Sequence, residues 1–130
     1  MTEPYRILVT GSRDWDDTEG LRFALIRVWA PRHRLPVVVV HGACPTGADA
    51  MAAEWAHDYG VRAEEHPADW DQFGKAAGPK RNAEMVAAGA QVCLAFIRND
   101  SRGATHCAGL AEQAGIEVRR YLLPSAVRAS

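Results

Sequence analysis

Apolar residues along this chain fall into five short runs, and the stretches between the first four runs and the last carry helical spacing instead. The runs place strands at about 5–10, 36–41, 61–66, 91–97 and 117–122. The intervening stretches place helices at about 17–30, 46–59, 79–88 and 104–114, while 67–78 reads as the longest connection. Helix ends are marked by Gly60, Gly89 and Gly115, each of which follows an amphipathic run and precedes a strand. Pro79 suits the first turn of the third helix, where its missing N–H costs nothing. Regular alternation of strand and helix predicts an α/β domain with a mostly parallel sheet covered on both faces.

Strand composition also predicts the strand order. Ile7-Leu8-Val9, Val37-Val38-Val39-Val40 and Val92-Cys93-Leu94-Ala95-Phe96-Ile97 are continuously apolar, as strands buried on both faces should be. The third run (Val61 to His66) and the fifth (Glu117 to Leu122) carry charge and suit sheet edges. The order is therefore 3-2-1-4-5, with a topological switch point between strands one and four. Ligands of open α/β sheets bind beyond the carboxyl ends of the strands at such a point.

Three glycine-bearing loops converge there: Gly11-Ser12-Arg13, the loop from His41 and Gly42 to Gly47 and Asp49, and Ser101-Arg102-Gly103-Ala104-Thr105. A strand, a glycine loop and a helix start together present unpaired N–H groups and the positive end of the helix dipole to an anion. Gly11 lets a ligand approach the backbone, Ser12 offers a hydroxyl, and Arg13 can grip phosphate; the bland alternative is a βα turn capped by serine or Asp17. Thr46 can cap the second helix, and Gly47 admits close approach. Asp49 either complements that helix dipole or accepts hydrogen bonds from ribose hydroxyls. His41 reads as a satisfied, half-buried histidine. In the 67–78 connection, Trp70 or Phe73 stacks on a base or packs the loop onto the body. Lys75, Lys80 and Arg81 add charge beside it, and Asn82 a polar donor and acceptor. The N–H groups of Gly103, Ala104 and Thr105, after Arg102, are the expected phosphate cradle.

Composition narrows the field. A chain of 130 residues, 48 % hydrophobic, suits a single domain over 1–130 with a substantial core. A formal net charge of −1 gives no global attraction to nucleic acid or an anionic membrane, so any anion site is local. The N-terminus lacks the pattern of a signal peptide, no apolar stretch spans a bilayer, and three cysteines fit reduced thiols, which together predict a cytoplasmic protein. His41 with Cys44, and His106 beside Cys107, lack the paired spacing of a zinc site, so no metal and no cofactor are expected. Cys93 falls within an apolar strand and reads as core. The glycine-lysine-serine/threonine ending of a Walker loop is absent, which argues against ATP hydrolysis by that route. An exposed Trp29 on an amphipathic first helix suits a homodimer, although packing within the monomer accounts for it equally.

The ordered set Gly11-Ser12-Arg13-Asp14-Trp15, His41-Gly42, Gly47-Ala48-Asp49, Asp69-Trp70, Ala77-Gly78-Pro79-Lys80-Arg81-Asn82 with Met85, and Gly103-Ala104-Thr105 resembles the SLOG superfamily, in particular its YspA-type branch of small Rossmann-like proteins. The resemblance covers nearly the whole chain and implies a nucleotide or nucleotide-derived ligand, sensed or processed. A more distant relative, the lonely-guy group of phosphoribohydrolases, implies cleavage of the bond between base and ribose 5′-monophosphate. Arg81 and Thr105 look similar to residues that group uses, but its glutamate position is Ala108 here. Glu84 or Glu112 would have to substitute as the catalytic carboxylate beside Arg81. The DNA-processing relative DprA implies single-stranded DNA binding, which the near-neutral charge and small size make a poor fit.

Overall fold

The computed structural model describes residues 3–123. Its strands are β1 (Tyr5–Gly11), β2 (Val37–His41), β3 (Arg62–Glu65), β4 (Val92–Arg98) and β5 (Glu117–Leu123). Its α-helices are α1 (Thr18–Trp29), α2 (Gly47–Asp58), the single turn α3 (Trp70–Phe73), α4 (Ala77–Ala88) and α5 (Arg102–Gln113). All neighbouring strands pair in parallel, in the order β3-β2-β1-β4-β5. This is a Rossmann-like α/β domain, and it has the order that the strand charges predict.

Successive residues of a strand face opposite sides of a sheet, so the apolar runs feed two cores. Ile7, Val9, Val39 and Phe96 pack with Leu21, Leu25 and Trp55 under α1 and α2. Leu8, Val38, Val40 and Cys93 pack with Met85, Cys107 and Ala111 under α4 and α5. A buried side chain of this size contributes roughly 1.5–3 kcal/mol, so the central strands and the helix faces over them together supply the core stabilisation. The charged strands β3 and β5 lie at the edges, where one flank needs no sheet partner.

Two expectations need correction. The 67–78 connection is not an open loop: Asp69 caps α3 by accepting the Gln72 N–H at 3.0 Å, and a 3₁₀ turn over Gly74–Ala76 runs directly into α4. The third long helix therefore starts at Ala77 rather than Pro79, with the proline still inside its first turn. Trp29 is not exposed either. It sits edge-on to Trp55 and Tyr59, with ring centroids 5.8 and 5.3 Å away, so α1 spends it on α2. Among the described residues, no helix is long and apolar enough to cross a membrane.

Candidate functional site

β1 and β4 lie side by side at the switch point, and a cleft of about 1100 Å3 opens above their carboxyl ends. Its floor is tied by Ser12. This hydroxyl accepts the Arg98 N–H at 2.7 Å and donates to the Arg98 carbonyl at 3.2 Å, joining the two strand ends. Ser12 is buried and fully engaged, so it builds the crevice and does not line it. Arg98 pairs with Asp16 and is likewise committed.

Gly11 lines the cleft, but its lack of a side chain serves packing as well: a Cβ there would lie 2.3 Å from Cβ of Ala48 at the start of α2. Gly47 has φ +71°, and a Cβ on it would meet the Ser12 carbonyl oxygen at 2.2 Å. Its glycine is required so that α2 can close on the β1 loop, where the Ala48 N–H donates to that carbonyl at 3.2 Å. Gly47 does not face the cavity.

The loop between β2 and α2 forms one wall. His41 is only 2 % exposed, which corrects its half-buried reading. Its Nδ1 accepts the Ala43 N–H at 3.0 Å, leaving the proton of the neutral ring on Nε2, a buried atom with no partner among the described residues. Burial pushes this histidine below its ordinary range, against the nearby Asp49 charge. Asp49, 7 % exposed, reaches the cleft from the first turn of α2 and accepts the Cys44 N–H at 3.2 Å. Burial raises the Asp49 carboxyl above its ordinary range, and the Cys44 amide, His41 and Arg81 only partly offset this. Ala43, at φ +59°, adopts a left-handed conformation that costs an L-residue roughly 1–2 kcal/mol. Such strain gathers where a loop is shaped for a ligand. Thr46 stands at the N-cap of α2 without a side-chain capping bond and lines the cleft instead.

Arg81 and Asn82, from α4, face this wall. Arg81 donates through Nη1 to the Gly42 carbonyl at 2.6 Å and through Nε to Asn82 Oδ1 at 2.9 Å. Asn82 in turn donates to the Gly103 carbonyl at 3.3 Å and lies 3.3 Å from His106 Nδ1, so α4 and the first turn of α5 are linked. At the mouth, the Arg13 guanidinium lies 5.4 Å from the centre of the Trp70 ring, within cation–π range. Trp70 is 48 % exposed and rests on Gly78, where an added Cβ would meet the ring at 3.2 Å.

The third wall is the start of α5, where Arg102, Gly103 and Ala104 line the cavity. Their amides belong to the first turn, which a helix leaves without internal partners. The Thr105 amide is already bonded to the Ser101 carbonyl at 3.0 Å, and its side chain lies outside the cleft, so the open amides begin one residue earlier than expected. Ion pairs among the described residues engage Arg6, Arg22, Arg98, Arg119 and Arg120, but none involves Arg13, Arg81 or Arg102.

The structure thus brings Gly11, Arg13, Gly42, Asp49, Trp70, Arg81, Asn82, Arg102, Gly103 and Ala104 to one cavity. It leaves Glu84 exposed on α4, away from the lining, and engages Glu112 with Arg120 on the surface at 2.9 Å. The carboxylates that do line the cleft are Asp14 and Asp49. Thr10, Met85 and His106 also line it without having been singled out for this role; Thr10 and His106 lie near a strand end and a helix start, and Met85 entered only through the family resemblance.

A model of the YspA, cpYpsA-related SLOG family matches residues 5–73, a span that runs from β1 through the Gly42 loop to Trp70 and the end of α3. The Gene 61 protein of Mycobacterium phage D29 is 47 % identical over 123 residues, which is 89 % of this chain and 95 % of that protein.

Proposed function

The chain belongs to the YspA, cpYpsA-related SLOG family, and we propose that its cleft binds a nucleotide or nucleotide-derived ligand, as a sensor or ligand-processing domain. One observation carries this reading: three arginines, from the β1–α1 loop, α4 and α5, line a single cleft at the switch point, outside the ion pairs that engage other arginines of the chain. Together with the open amides of α5 they favour phosphate, since guanidinium groups and a helix N-terminus both bind it well. Trp70 is the exposed aromatic surface beside them and suits a base.

The cleft is slightly larger than most small-molecule sites, which run to roughly 1,000 Å3, and so has room for more than a single phosphate group. Hydrolysis of an N-glycosidic bond through Glu84 or Glu112 finds no support in their positions on the outer surface. Native mass spectrometry of freshly purified protein, followed by thermal shift with nucleotides, cyclic dinucleotides and ADP-ribose derivatives, tests the proposal. A ligand that binds the folded state raises the melting temperature by mass action. The expected hit is lost in Arg13→Ala and in Arg102→Ala. A nucleotide recovered intact after incubation identifies a binder, and release of its base identifies an enzyme. No bound species and no shift across the panel would reject the reading.

A further inference from the structure

The cleft has two walls of opposite hydrogen-bonding character. The loop from β2 to α2 resembles a phosphate loop in its glycines, but three of its amides are committed within the chain. The Ala43 N–H donates to His41 Nδ1, the Cys44 N–H to Asp49 Oδ2, and the Ala48 N–H to the Ser12 carbonyl. The buried Asp49 carboxylate beside them disfavours an anion at this wall. Beside the Thr46 hydroxyl, what this wall presents to the cavity is the Asp49 carboxylate, an acceptor with two oxygens and about four lone-pair sites. It is more than nine-tenths buried, so few waters satisfy it, and Gly42 leaves it close to Arg81 with no side chain between them.

The opposite wall carries the open first-turn amides of α5 with Arg102, which prefer negative charge. A ligand spanning both walls is therefore polarised, with its anion at α5 and a hydrogen-bond donor at Asp49. In a nucleotide, the donor group next to the phosphate is the sugar, and a vicinal diol can give two parallel O–H bonds to one carboxylate.

We infer that Asp49 reads the 2′- and 3′-hydroxyls of a ribose whose phosphate lies at the start of α5, so that the site selects ribose ligands over deoxyribose ones. This rests on the nucleotide-binding reading of the same cleft. Loss of one hydroxyl leaves a buried charged acceptor short of a donor, which weakens binding about tenfold or more.

The test uses ligands without a base, so the unknown base does not enter. Binding of ribose 5-phosphate, 2-deoxyribose 5-phosphate and inorganic phosphate to the full chain is read by ligand-observed NMR, with Asp49→Asn alongside. Asn keeps an oxygen to accept the Cys44 amide, and thermal melting confirms that the variant is folded. The expected result is ribose 5-phosphate held about tenfold more tightly than its deoxy counterpart, with the difference erased in Asp49→Asn. Equal affinities, a difference that survives in Asp49→Asn, or a sugar phosphate held no better than inorganic phosphate would overturn ribose selection and leave the anion-binding cleft standing. Absence of all three ligands from the cleft would overturn the cleft reading and this inference with it.

Discussion

Arg81 and Gly42 meet without an intervening side chain: Nη1 of the arginine donates to the glycine carbonyl at 2.6 Å, and a Cβ on Gly42 would fall 2.3 Å from that nitrogen. The same Cβ would lie 3.0 Å from Oδ2 of Asp49. Gly42 thus lets two charged groups of opposite sign lie close together at one side of the cleft.

Gly42→Ala should therefore damage the site more than the fold. The atoms in its way are the far ends of side chains, and Arg81 can swing aside at the cost of one charge-assisted hydrogen bond. We expect a stability loss of about 1–2 kcal/mol, read as a fall of a few degrees in melting temperature. Ligand-induced thermal stabilisation should fall far more, because Arg81 and Asp49 both lose their positions.

Gly47→Ala should show the reverse pattern. Here the clash is with backbone, at 2.2 Å from the Ser12 carbonyl oxygen and 2.6 Å from that of Arg13, and φ is +71°. Neither side can yield without separating α2 from the β1 loop. A loss of about 3 kcal/mol or more is expected in chemical denaturation, with reduced soluble yield.

Asp49 is predicted to oppose stability at neutral pH. Its folded-state pKa lies above the ordinary value because burial penalises the charged form. Folding therefore favours the protonated carboxyl: the contribution is complete below the ordinary carboxyl range and is lost as pH rises through the raised value. Asp49→Asn should melt higher than the parent at pH 7, and the advantage should close as the pH falls below the carboxyl range. A residue that costs stability and still lines the cleft fits a binding role, and the same variant should bind ligand less well.

Glu64 is predicted to act in the opposite sense. Arg6 from β1 grips it with two hydrogen bonds of 3.0 and 2.6 Å, and His66 approaches at 2.8 Å, which together lower its pKa from 4.5 to about 2. Its contribution to stability is present above the unfolded value and disappears as pH falls from about 4.5 toward 2. Glu64→Gln should be destabilised at pH 7, and melting curves of variant and parent should converge over that acid range.

Much of the fold was legible because burial writes itself into strand composition. Arg62, Glu64, Glu117, Arg119 and Arg120 mark edges, and the uninterrupted valines of β2 mark a strand covered on both faces. That fixes the switch point, and with it the cleft. The details of the lining were less legible. A glycine in the sequence says that a side chain is excluded but not what excludes it: at Gly42 it is Arg81, whereas at Gly47 it is the β1 loop backbone. Ser12 and Thr105 carry hydroxyls suited to a ligand, yet Ser12 is spent on Arg98, and Thr105 lies one residue past the open amides of α5. Glu84 and Glu112 sit close in sequence to Arg81 and to the Gly103 segment, but their helices turn them to the outer surface.

The central claim is that a nucleotide-type ligand lies between Trp70 and the start of α5. Backbone amide and indole NMR shifts, followed as the ligand found by screening is titrated, test it most directly. The largest shifts are expected at the amides of Arg102, Gly103 and Ala104 and at the Trp70 indole. Changes confined to the groove around Trp29, Leu35 and Tyr59, at the opposite edge of the sheet, would contradict it.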